Sequence, residues 1–157
     1  METGQFTTKE AFTKAAVLCS KGEKCSFDIK KKLMEWGLDK YDAEAVVEEL
    51  KHEKYIDDER YARAYVRDKF RIGKWGRVKI KHFLKQKGFP DELIEIGFEE
   101  IDEEKYVKLL LRTMRQKARS IKSKNRFDKM GKIIRFAQGR GFEPEYIHRH
   151  LNEVVKE

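Results

Sequence analysis

Residues 55–89, YIDDERYARAYVRDKFRIGKWGRVKIKHFLKQKGF, read as a helix, a glycine-broken basic turn and a second helix. Asp57, Asp58 and Glu59 stand where the first helix should begin, and carboxylates there complement the positive end of the helix dipole. Tyr61, Ala62, Tyr65, Val66 and Phe70 recur at helical spacing and predict one apolar stripe, with Arg60, Arg63 and Arg67 on the other side. Gly73 and Gly76 interrupt the pattern around Lys74 and Trp75. The second helix then shows Val78, Ile80, Phe83 and Leu84 as an apolar face and stops at Gly88. Between Lys69 and Lys87 there are eight Lys or Arg and no Asp or Glu, the strongest local charge signal in the chain.

Working outward, the same phrase occurs three times. Gly37, Gly88 and Gly141 each end a middle helix, 51 and 53 residues apart, and each is followed by a large apolar residue, Leu38, Phe89 or Phe142. Ile29, Ile80 and Ile133 precede the glycines at constant spacing. Val47, Phe98 and Leu151, then Leu50, Ile101 and Val154, follow at constant spacing. Glycine suits these positions because a helix commonly ends on a left-handed residue, which only glycine adopts cheaply. Pro90 and Pro144 fall just beyond, where a proline fits the first turn of the next helix. The spacing therefore predicts an all-α chain of three tandem three-helix repeats, 1–54, 55–101 and 102–157, packed into an elongated curved rod. No strand pattern appears.

In the first copy, Thr7 and Glu10 have capping-box spacing. Phe12, Ala15, Ala16 and Cys19 make the first apolar stripe. Ser26 is the expected cap of the second helix, with Phe27, Ile29, Leu33 and Trp36, and Asp42 the expected cap of the third. In the third copy, Phe127, Ile133, Ile134 and Ala137 make the middle-helix face.

Composition sets bounds on function. Of 157 residues, 39% are hydrophobic and 41% charged, so the core should be thin. A net charge of +8 favours nucleic acid, an acidic protein surface or an anionic membrane as partner, without choosing among them. Cys19 and Cys25 form no CxxC pair, and neither has a histidine nearby for zinc. The opening METGQFTTKE has no apolar core for a signal peptide, and the apolar runs are far short of a membrane span, so a cytoplasmic protein with reduced thiols is expected.

No catalytic constellation is visible: GxSxG, HExxH, the P-loop and GxGxxG are all missing. His148 and His150 are two apart and would face different ways on a helix. Asp57–Glu59 lack the oxygen-rich loop of a cation site and read as a helix start. No cofactor is expected. The basic segments are the functional candidates: Arg67, Lys69, Arg71, Lys74, Arg77, Lys79, Lys81 and Lys85 in the middle copy, and Arg115, Arg119, Lys122, Lys124 and Arg126 in the third. They can pair with phosphates or carboxylates. From Arg112 to Arg140 there are eleven basic residues and one acidic, whereas Asp91–Glu104 has eight acidic and no basic. Copies stacked in similar orientation would line basic segments along one side. Trp75 has two readings, a partner-facing ring that stacks on a base or fills a pocket, or a staple folded back on the helix end.

Tyr55-Ile56-Asp57-Asp58-Glu59-Arg60-Tyr61-Ala62, Val66-Arg67, Gly73-Lys74-Trp75-Gly76 and the run from Ile80 to Gly88-Phe89 resemble the signature of the bacterial RecX regulators. The match is specific in the middle copy and weaker in the flanking two. Arg77 stands where that family usually has Pro, Lys79 where Arg is common and Phe83 where Glu is common. The resemblance implies tandem three-helix repeats, no enzymatic activity, and a regulator that binds RecA and its DNA filaments and mostly inhibits ATP hydrolysis and strand exchange; a monomer is expected. Two rival readings stand beside it. One is a stand-alone helical DNA- or RNA-binding protein, against which the lysine-rich basic positions and acidic third helices argue. The other is a scaffold whose basic side meets an acidic partner.

Overall fold

The computed structural model describes residues 7–122 and 125–156, and among them every regular element is an α-helix. There are nine: α1 (Thr8–Ser20), α2 (Ser26–Glu35), α3 (Lys40–His52), α4 (Asp58–Arg71), α5 (Arg77–Gln86), α6 (Asp91–Phe98), α7 (Glu103–Ser120), α8 (Arg126–Gly139) and α9 (Pro144–Val155). They pack in threes, α1–α3, α4–α6 and α7–α9.

The three anchor glycines do the same job in each group. Gly37, Gly88 and Gly141 have φ of 104°, 79° and 98°, the left-handed conformation that costs a side chain-bearing residue about 1–2 kcal/mol. The following amide then reaches back to close the helix: Leu38 to the Leu33 carbonyl, Phe89 to Leu84 and Phe142 to Ala137, at 3.1–3.2 Å. All three following side chains are buried, as are Ile29, Ile80 and Ile133.

Helix starts follow local chemistry with two corrections. Thr7 and Glu10 form the reciprocal capping box, and Asp57, Asp102 and Asn125 cap α4, α7 and α8. Asp39, not Asp42, caps α3, since its carboxylate accepts from the Asp42 amide at 2.8 Å. Ser26 does not cap α2. Its amide and hydroxyl instead donate to the Asp58 carboxylate at 2.9 and 2.8 Å, so the second group caps a helix of the first.

Three expected core residues are exposed: Val78, Phe27 and Phe127, at 49%, 46% and 87%. Each lies in the first turn of its helix, where it is only partly covered. The remaining apolar positions form two cores. One belongs to α1–α3 and includes Ile29, Leu33 and Leu50. The other runs unbroken through α4–α9, and Cys25 of the first group inserts into it. Burial pushes the Cys25 thiol up to about 11, well out of the range of a reactive thiolate.

The two junctions between groups differ in kind. First meets second mainly through polar contacts: Asp58 with Ser26, Arg60 with Glu23 at 2.6 Å and Lys87 with Asp28 at 2.9 Å. Second meets third through backbone and aromatic packing. The Gly76 amide donates to the Arg140 carbonyl and the Val78 amide to the Gly141 carbonyl, both at 2.9 Å. Tyr106, fully buried, lies 5.9 Å from the Phe70 ring and 5.4 Å from Phe142. The accessible surface of 9825 Å² exceeds the roughly 8,300 Å² of a compact monomer of this size, in keeping with a row of thin cores.

Candidate anion-binding interface

The Gly73–Gly76 turn between α4 and α5 is held rigidly. Trp75 is half-buried against Phe83, ring centroids 5.2 Å apart. The Lys69 and Lys79 ammonium groups lie 4.8 and 4.5 Å from its ring. The staple reading of Trp75 is therefore the one the fold adopts, and its two cations are occupied by the ring.

Several other sequence candidates already have carboxylate partners. Arg77 pairs with Glu103 at 2.7 Å and Glu143 at 3.0 Å, and its guanidinium lies 3.9 Å from the Tyr106 ring centroid. Burial opposes its charge, but the two carboxylates outweigh this and hold Arg77 above the ordinary arginine value. Arg67 meets Glu100 at 3.4 Å and Lys85 meets Asp91 at 3.0 Å. Lys81 borders a groove shared with Glu95 and Glu99. Sequence spacing assigned these cations to a partner because the acidic run 91–104 is remote in the chain. In the fold that run packs against α4 and α5.

Arg71 and Lys74 are different. They are exposed at the end of α4, and α7 brings Lys105, Lys108 and Arg112 beside them. The five cations surround a cavity of about 380 Å³ floored by Phe70 and Leu109. Among the described residues, no carboxylate forms an ion pair with any of the five. Lys74 has φ of 60°, unusual outside glycine, and its ammonium donates to the Arg71 carbonyl at 2.9 Å. Sequence reading missed Lys105 and Lys108 because they follow directly on Asp102, Glu103 and Glu104. The available signal was helical: 105, 108, 112, 115 and 119 step by three and four and share one face of α7.

Farther along, Arg115 and Arg119 border a smaller cavity with Lys129, of about 240 Å³. Lys122 is exposed just beyond α7, and Arg126 donates to Asn152 at 3.4 Å. Lys124 lies outside the described residues. Among those residues, no cluster of metal-ligating side chains occurs, and no helix is long and apolar enough to cross a membrane.

Fold and surface together define a class: all-α chains of tandem three-helix repeats with a cationic junction between the second and third. Residues 57–96 match the second three-helix domain of RecX. The regulatory protein RecX of Clostridium acetobutylicum is 30% identical over 152 residues, covering 94% of this chain and 70% of that protein. The Clostridium tetani regulatory protein RecX is 32% identical over 127 residues, 79% of this chain and 57% of that one. The chain belongs to the RecX family. Its fold is that of solved RecX structures: RecX from Lactobacillus salivarius superimposes with a TM-score of 0.83 at 20% identity, covering 96% of this chain and 97% of that one. A second RecX crystal structure gives 0.80 at 22% identity, covering 92% and 73%.

Proposed function

We propose that this protein is a non-enzymatic regulator that binds RecA and its DNA filaments and restrains ATP hydrolysis and strand exchange. Membership of the RecX family supports the reading, and the relatives carry the name of regulatory proteins. The observation that carries it is the convergence of five cations at the α4–α7 junction, none of them ion-paired to a carboxylate among the described residues. An extended row of helices can lie along a repetitive filament and make several modest contacts, which together give avidity. In this reading the protein works in the cytoplasm as a monomer, with units at 1–54, 55–101 and 102–157.

The test is a titration of RecA on single-stranded DNA with ATP. Stoichiometric protein should lower the steady rate of ATP hydrolysis. An unchanged rate at several-fold excess would sink the proposal.

A further inference from the structure

We infer that the α4–α7 cavity is a phosphate-binding site that opens onto a single cationic track along α7, and that it seats the phosphodiester backbone of a nucleic-acid strand. The inference rests on reading this side of the molecule as the partner-facing one, but its test needs no RecA, so the two can fail separately.

Three observations carry it. First, Arg71, Lys74, Lys105, Lys108 and Arg112 converge without a carboxylate partner. Like charges repel, so such a group is tolerated best where an anion completes it, and the two guanidinium groups, one from each helix, suit the paired oxygens of a phosphate. Second, the cavity continues into a line. Lys105, Lys108, Arg112, Arg115 and Arg119 occupy one face of α7, and at 1.5 Å per residue they extend about 21 Å. A small anion has no use for that length, whereas a strand presents a charge at every nucleotide. Third, the two walls are fixed relative to each other. Arg71 and Lys74 come from the second group and Lys105, Lys108 and Arg112 from the third. The Gly76–Arg140 and Val78–Gly141 backbone bonds, with Tyr106 packed against Phe70, hold the walls together. The site thus needs little rearrangement on binding. Its side chains are lysines and arginines, with no Asn or Gln among those lining it, so it should grip the backbone without reading bases.

The experiment measures fluorescence anisotropy of a labelled oligothymidylate with the full chain. The triple variant Arg71→Gln, Lys108→Gln, Arg112→Gln removes three cavity charges. Its control, Lys9→Gln, Lys21→Gln, Lys40→Gln, removes three exposed charges from the first group. Both sets are exposed and should leave helicity intact by circular dichroism; a second cavity pair, Lys74→Gln with Lys105→Gln, guards against an idiosyncratic loss of structure. The cavity variants should bind at least about tenfold more weakly, and the slope of the triple variant's log affinity against log salt should become shallower by about two, three contacts at roughly 0.7 each. The control should stay within about twofold of the parent, since its charges lie off the track. Equal losses in variant and control would reduce the effect to net charge and overturn the site. Unchanged binding in the cavity variants would also overturn it. Inorganic pyrophosphate should compete poorly; displacement of the strand at matched charge concentration would make the cavity a small-anion site and overturn the track.

Discussion

Arg77 ties three elements at one point. Its amide donates to the Tyr106 hydroxyl at 2.9 Å, its guanidinium pairs with Glu103 of α7 and Glu143 at the start of α9, and the Tyr106 hydroxyl donates to Glu143 in turn. The Arg77 and Glu143 side chains are only 18% and 20% exposed, so removing one strands the other in a poorly solvated place. Arg77→Met should therefore destabilise the protein by about 2–3 kcal/mol in urea denaturation. Adding Glu143→Gln should recover part of the loss, with a coupling of about 1 kcal/mol or more. Strict additivity would show that the two side chains act independently. The residue also shows what sequence cannot supply. Among eight cations between Lys69 and Lys87 nothing local sets Arg77 apart, because both its carboxylates come from the third copy.

At the scale of elements, the repeated glycines separate two roles. Gly88 has positive φ, but a Cβ there would meet only Phe27 at 3.8 Å, in ordinary contact. Gly141 has positive φ and would also bring a Cβ closer than 3.0 Å to Lys79. Gly76 has φ of −80°, which any residue adopts, yet its Cβ would lie closer than 3.0 Å to the Gly141 backbone. Gly88→Ala should thus cost about 1–2 kcal/mol, the strain alone. Gly141→Ala should cost clearly more, because the second and third groups must also part. Gly76→Ala should be costly with no strain at all. A neutral Gly76→Ala in thermal denaturation would mean that the backbone pairing does not fix the junction. The helix-ending role of Gly37, Gly88 and Gly141 was legible from spacing, as were the nine helices and most of their buried faces, because those depend on periods within a copy. The Gly76–Gly141 contact, the Asp58 bond to Ser26 and the meeting of α4 with α7 depend on how copies pack, and no period records that. The same reason explains the candidate site: the basic turn was visible in the sequence, while the half of the cavity supplied by α7 was hidden behind its acidic first turn.

Across the whole molecule, two cores joined by a mostly polar junction should not behave as one cooperative unit. Among the described residues, the contacts between α1–α3 and the rest include the Asp58 bonds, two ion pairs, the inserted Cys25 and Phe27 beside Gly88. Exposed ion pairs contribute about 0–1 kcal/mol each and a helix cap about 1. The polar part of that coupling, about 1–3 kcal/mol, is no larger than the cost of one large cavity in either core, about 2–5 kcal/mol for Leu→Ala. The chain carries one tryptophan for each core: Trp36 packs on the first and Trp75 on the second. Trp36→Phe and Trp75→Phe therefore leave single reporters. In urea they should show different midpoints. Leu33→Ala should shift mainly the transition seen by Trp36, and Leu110→Ala mainly the one seen by Trp75. Coincident transitions that move together in both variants would show that Cys25 and the polar bridge couple the cores fully. With separate transitions, α4–α9 can remain folded when the first core has opened. The α4–α7 cavity lies wholly within those helices, so its anion affinity should survive the first transition.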